Sequence, residues 1–171
     1  MSNTPTSPKI LLVIDLQKGF IKSPELERLS NMIVELSRSD QFDYIIATRF
    51  VNRAKSPYVS ILNWRKMMAS PDTDLVEGLK TDIVIDKTAY NCCNDEFDAA
   101  LGCITLGSKP SEIYVCGLDT DCCVLASSIG LFEMGIRPIV LSNYCGSCGG
   151  EEQHRAGLKC LKRVIGKGNV R

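Results

Sequence analysis

One stretch near the middle of the chain, Ser111 to Ser127 (SEIYVCGLDTDCCVLAS), constrains the fold more than any other. Ile113, Tyr114, Val115 and Cys116 form an apolar run without the polar alternation of a half-exposed strand. That is the pattern of a strand covered on both faces, as in a parallel sheet. Gly117 ends the run, Leu118 and Asp119 carry the chain through a tight turn, and Thr120 or Asp121 can cap the next element. From Cys122 to Glu133 the spacing of Val124, Leu125, Ile129, Leu131 and Phe132 predicts a helix with a broad buried face. Cys122 and Cys123 then stand in the first turn of a helix at the carboxyl end of a strand. Unpaired N–H groups and the macrodipole at such a place lower a thiol's pKa and face a developing oxyanion. The layout is that of a nucleophile site. A free cysteine is more often a small, inert core residue, so the assignment needs partners from elsewhere in the chain.

Along the rest of the sequence, residues 1–8 hold two prolines and several hydroxyls and are expected to form a loose tail, with residues 9–171 as a single domain. Lys9 to Leu16 (KILLVIDL) reads as a buried strand with Asp15 at its carboxyl end. Leu26, Leu29, Ile33, Val34 and Leu36 recur near the helical period, which predicts a helix over 25–38 behind Pro24. Phe42 to Thr48 is a second strand with Arg49 at its tip. Residues 50–80 are irregular, with an amphipathic piece around Ile61 to Met68. Asp82 to Asp86 is a third strand with Lys87 just past its end, and Asp95 to Leu106 is a helix capped by Asn94 or Asp95. After the central strand and helix come a strand near Arg137 to Leu141, a glycine-rich loop, a helix over roughly 151–162, and a short edge strand at Val164–Ile165.

Strands alternating with helices imply an α/β fold with a doubly wound, mainly parallel sheet. Such sheets bind ligands at the carboxyl ends of their strands, near the point where the strand order reverses. Asp15, Arg49, Lys87 and Cys123 all fall at carboxyl ends. Twenty basic residues balance twenty acidic ones, so no overall field draws the chain to nucleic acid or an anionic membrane. No apolar run reaches membrane-spanning length and no apolar leader opens the chain. A cytoplasmic location is therefore expected, with the nine cysteines as reduced thiols.

Asp15 in VIDLQKGF, Lys87 in VIDKTAY and Cys123 in VCGLDTDCCV together resemble the isochorismatase-like cysteine hydrolase superfamily, over roughly residues 9 to 165. The resemblance implies a three-layer α-β-α, Rossmann-like domain and an Asp–Lys–Cys triad. Cys123 would be the nucleophile, Asp15 would accept its proton, and Lys87 would hold the charge between them. The backbone N–H groups of Asp119 and Cys123 would form the oxyanion hole, next to a cis peptide joining Leu118 to Asp119. Small amides or ureides would be cleaved at a C–N bond through a thioester, and a homo-oligomer (dimer or tetramer) would be formed.

The chain departs from the pattern in one respect. Nicotinamidases of this superfamily carry a metal held by one aspartate and two or more histidines just after the second strand. Here that stretch reads Thr48-Arg49-Phe50-Val51-Asn52, and the single histidine of the chain, His154, lies on the last helix. No metal and no other cofactor are therefore expected, and His154 reads as a structural or surface group. The cysteine likewise argues against a true isochorismatase, which lacks it.

The expected partner is a small molecule, not nucleic acid or a membrane. Arg49 suits a substrate carboxylate but equally suits a structural pairing with Asp43 or the rim. Tyr90, Asn91 and Trp64 are candidate walls of the substrate pocket, and Trp64 is also compatible with a core or subunit contact. Cys145-Gly-Ser-Cys148 is a lone C-x-x-C, short of a zinc site, and Cys148 could line the mouth. Two other functions fit the same fold: a thiol redox or peroxide sensor using Cys123 with Cys122, Cys145 or Cys148, and a non-catalytic binding protein.

Overall fold

Strand β1 (Ile10–Ile14) is buried at every position, and the other layers are built on it. The computed structural model describes residues 7–171; most of the expected N-terminal tail lies outside the described residues. β1 pairs in parallel with β2 (Tyr44–Phe50) on one side and β4 (Glu112–Leu118) on the other. β3 (Ile83–Lys87) and β5 (Arg137–Gly146) are the edges, also parallel, giving the order β3-β2-β1-β4-β5. The winding reverses between β1 and β4, which places the ligand crevice of such a sheet at the carboxyl ends of those two strands.

Burial on both faces explains the unbroken apolar sequence of β1. Leu11 and Val13 face helix α1 (Pro24–Arg38) through Leu26, Leu29, Ile33 and Leu36. Ile10, Leu12 and Ile14 face the opposite layer, built by α3 (Asp95–Ile104), α4 (Leu125–Glu133) and α5 (Glu151–Val164). A short helix, α2 (Pro57–Ser60), lies in the long β2–β3 connection. The helix starts follow local chemistry. Ser23 accepts from Leu26 N–H with Pro24 in the first turn, and Asn94 accepts from Phe97 N–H. No helix among the described residues is long and apolar enough to cross a membrane.

Several boundaries differ from the sequence expectation, for physical reasons. β4 does not stop before Gly117 but runs on to Leu118. Gly117 pairs with Ile14 at a φ of +117°, where an added Cβ would strike the Ile14 backbone; glycine there permits close strand approach and is not a break. The chain then passes a cis Leu118–Asp119 peptide into a single π-helical turn, Thr120–Val124. Neither Thr120 nor Asp121 caps it. Cys122 and Val124 N–H both donate to the Asp119 carbonyl instead. On α4 the buried positions include Ser127, Ser128 and Leu131, while Phe132 is exposed. Residues 61–68 are irregular, in keeping with the expectation for this stretch, with Ile61 and Leu62 exposed and Met67 buried. Val164 and Ile165 close α5, and the short bridge to β5 is made by Val170 with Val140.

Candidate active site

Asp15 follows the last residue of β1 in a left-handed conformation, φ 46°, which turns its carboxylate under the neighbouring strand end. Thr48 on β2 holds it reciprocally. Its hydroxyl donates to Asp15 Oδ1 over 2.6 Å and accepts from the Asp15 N–H over 3.0 Å. Two residues on, Gln17 staples the same turn to β2. Its amide accepts from Phe50 N–H and donates to the carbonyls of Phe50 and Thr73. Every polar atom of this fully buried glutamine amide serves to fix where β1 ends.

Lys87 is the last residue of β3, not the first beyond it. Its ammonium stands 2.7 Å from Asp15 Oδ2, with both side chains essentially unexposed. It also donates to the carbonyls of Ala89 (2.9 Å) and Tyr90 (3.2 Å) and lies 3.4 Å from Cys123 Sγ. The Phe50 ring covers it from 5.2 Å. Oδ2 of Asp15 has no hydrogen-bond partner besides that ion pair among the described residues. The three side chains named from sequence therefore meet at one point.

The charge state of this cluster differs from the sequence expectation. Burial alone would lower the Lys87 pKa, but the Asp15 carboxylate, with Cys123 whenever it ionises, outweighs it and holds the ammonium form. Burial raises the Cys123 thiol well above its ordinary value, Asp15 raises it further, and Lys87 offsets only part. The helix-start field does not produce a free thiolate here. Two of the N–H groups of that turn are already spent on the Asp119 carbonyl. The resting site thus holds a thiol beside an ion pair, an arrangement suited to proton transfer on substrate arrival.

Cys123 lies at the wall of a cavity of about 500 Å³. Phe20, Phe50, Tyr58, Trp64 and Tyr90 form its aromatic walls, Lys22 and Lys66 its basic groups, and Asp119, Cys122 and Cys148 its remaining polar edge. Phe20 and Trp64 lie nearly parallel, at 6° with centroids 6.5 Å apart, and Tyr58 meets Tyr90 edge-on at 5.0 Å. Burial pushes the Tyr58 phenol up to about 12, so it remains a neutral donor. The Asp119 carboxyl is raised by burial although Oδ1 accepts from Cys148 N–H.

Of the other residues singled out in the sequence, Trp64, Tyr90 and Cys148 line the cavity. Arg49 and Asn91 do not, and their expected place is corrected. Arg49 is inside β2, on the strand face opposite to its neighbours Thr48 and Phe50. There it clasps Asp86, its register partner on β3, with two bonds of 2.7 and 2.8 Å. Asn91 packs against Gly130 of α4 and accepts from Cys93 N–H. His154 sits 2.7 Å from Thr120 Oγ1, and that hydroxyl reaches the Gly146 carbonyl at 3.0 Å. It ties α5 to the turn that bears Cys123. Cys145 is a core residue whose thiol burial pushes up to about 12, so the two thiols of the C-x-x-C lie in unlike surroundings. Thr48, Gln17, Phe20, Tyr58, Lys22 and Lys66 were not singled out for the site. Only residue type marked them, since their contacts span tens of residues.

A metal of the nicotinamidase kind does not fit the residues present. In the stretch after β2 where the resemblance implies such a metal, Phe50 offers a ring and Asn52 an amide already in use. The Asn52 Nδ2 donates to the Trp64 and Lys66 carbonyls, and Oδ1 accepts from Arg53 N–H and Ser56 Oγ. Among the described residues no three His, Cys, Asp or Glu side chains are grouped to hold an ion.

Comparison with known proteins places this geometry in context. The family model for the Isochorismatase domain matches residues 9–167. The nicotinamidase/pyrazinamidase of Bacillus subtilis superposes with a TM-score of 0.76 at 18% identity, over 95% of this chain and 98% of that one. For N-carbamoylsarcosine amidase of Thermoplasma acidophilum the values are 0.73 and 18%, over 93% of each chain. Pyrazinamidase of Pyrococcus horikoshii, solved in complex with zinc, gives 0.76 and 20%, over 96% and 97%. At these identities the structural likeness concerns the fold. No curated protein matches the chain.

Proposed function

This chain belongs to the isochorismatase family, and on that premise we propose that it is a metal-independent cysteine hydrolase, cleaving the C–N bond of a small amide or ureide through a thioester on Cys123. The observation that carries this reading is the contact of Asp15, Lys87 and Cys123 beside the aromatic cavity.

A thiol is only partly ionised near neutrality and needs a base. Asp15 takes the Cys123 proton as Sγ attacks the carbonyl carbon, and Lys87 remains protonated throughout, balancing the charge that passes between them. The tetrahedral oxyanion faces the N–H groups of Asp119 and Cys123. The protonated Asp15 gives its proton to the departing nitrogen as the C–N bond breaks, leaving a thioester and free ammonia or amine. Asp15 then deprotonates a water that attacks the thioester. The C–S bond breaks, the acid leaves, and Cys123 recovers its proton.

Three thiols line the cavity, which also motivates a peroxide-sensing role. Burial pushes Cys122 up to about 11 and also raises Cys123 and Cys148, which disfavours the thiolate that oxidation requires. The hydrolase reading is tested by ammonia release from a panel of small amides and ureides after chelator treatment, with Cys123→Ala beside the wild type. Turnover that survives chelation, is lost in the variant and leaves an acyl mass on Cys123 after acid quench is expected. Activity that needs added metal, or that persists in Cys123→Ala, overturns it.

A further inference from the structure

We propose that Lys22 and Lys66 form an anion subsite in the cavity, so that the substrate amide carries a second, negatively charged group, a carboxylate or a phosphate. The inference rests on the amidase reading of the same cavity and adds the substrate class to it.

Three observations carry it. First, the residues lining the cavity include two lysines, Lys22 and Lys66, and a single acidic one, Asp119, whose Oδ1 is already occupied by the Cys148 N–H. The chain as a whole has no net charge, so the excess of positive charge is local to this wall. The third lysine of the region, Lys87, is spent on Asp15 and on the Ala89 and Tyr90 carbonyls.

Second, neither cation is neutralised by the protein. Lys22 stands 3.9 Å from Asp72, with the two side chains 61% and 44% exposed, a long and solvated pairing of little strength. Lys66 makes no ion pair among the described residues. Both remain free to make charge-assisted bonds to an oxyanion, and the apolar rings around them concentrate their field into the cleft.

Third, both lysines project from anchored backbone. Asn52 binds the carbonyls of Trp64 and Lys66, and the next residue, Met67, is 1% exposed. Lys22 follows a turn closed by Phe20 N–H to Gln17 and Ile21 N–H to Lys18, and precedes the Ser23 cap of α1. Asn52 thus fixes the segment bearing one of the two cations.

The test compares ammonia release from 3-carbamoylbenzoate, 3-carbamoylphenyl phosphate and benzamide by wild type, Lys22→Met, Lys66→Met and the double variant. An anionic amide is expected to exceed benzamide in kcat/KM by about tenfold or more, the effect of roughly one good charge contact. Added salt and the double variant should bring that ratio toward one. Which anionic amide leads identifies carboxylate or phosphate as the recognised group. If benzamide is cleaved as fast as both, the subsite is overturned and the amidase reading stands.

If none is cleaved, isophthalate and phenyl phosphate are titrated against the fluorescence of Trp64, the only tryptophan of the chain. Saturable binding by wild type and its loss in the double variant would keep the subsite while the amidase reading failed. No binding by wild type would remove the subsite too.

Discussion

Lys87 and Asp15 meet across an intervening strand: β2 lies between β3 and β1 in the sheet, yet the two charges close to 2.7 Å beyond its end. Removing one partner leaves the other buried and uncompensated. Lys87→Met is expected to cost about 3–5 kcal/mol of folding stability, read from the denaturant midpoint at constant slope. Adding Asp15→Asn should recover part of the loss, because both charges are then gone. A Lys87→Met variant within about 1 kcal/mol of wild type would mean that the pair is solvated and not buried.

Asp15 raises the Cys123 pKa and Lys87 lowers it. In Asp15→Asn the raising charge disappears while the lowering one remains, so the thiol pKa should fall. Iodoacetamide should then label Cys123 faster in Asp15→Asn than in wild type at neutral pH, although hydrolysis is lost. Peptide mass spectrometry across pH gives both profiles. Slower labelling in the variant would show that Asp15 lowers the thiol pKa, the opposite sign.

Stability should decline on the alkaline side. Lys87 is raised from 10.5, Cys116 well above 9.0, and Cys145 from 9.0 to about 12. Each raised group keeps its proton in the folded state after the unfolded chain has lost it. Its contribution is therefore complete below the unfolded value and is lost as pH rises toward the folded one. The thiols set the onset near pH 9 and Lys87 adds its part above 10.5. Urea midpoints from about pH 7 to 11 should fall, and less steeply in Cys145→Ala. A flat curve through about pH 10 would contradict the burial of these thiols.

Gly157 of α5 lies against the backbone of Thr120 and Asp121, where an added Cβ would come within 2.8 Å of main-chain atoms. Alanine is the better helix former by about 1 kcal/mol, but it must push α5 off the turn that bears Cys123. Gly157→Ala is expected to keep its helix content by circular dichroism and lose about tenfold or more in kcat/KM, the scale of a slight misplacement of reacting groups. Full activity would show that the turn adjusts freely.

Much of this was legible because burial leaves a one-dimensional trace. The two-faced covering of β1 and β4 left the apolar runs ILLVI and IYVC, and the strand ends then put Asp15, Arg49, Lys87 and Cys123 on one rim. The alternation of strands and helices fixed the layered α/β class. These are local patterns, set by side-chain period and by cap chemistry within a few residues.

The remainder depended on contacts that no local pattern carries. Arg49 was expected at the rim because it follows a strand, but Asp86 on the adjacent strand draws it to the other face. Asn91 was read as a wall residue, yet the small Gly130 of α4 makes a seat for it. The sign of the Cys123 shift also came from assembly: a helix start favours a thiolate, but burial and a carboxylate brought from β1 outweigh it. The sheet and the strand ends on its rim could be read from residue order, because periodicity and strand ends are properties of neighbours along the chain, while the choice of Asp15, Lys87 and Cys123 among the rim residues came from the family resemblance. The charge state of the thiol, the aromatic walls supplied by Phe20, Phe50 and Tyr58, and the two free lysines emerge only on folding, because electrostatics and cavity shape belong to residues that are distant in sequence and close in space.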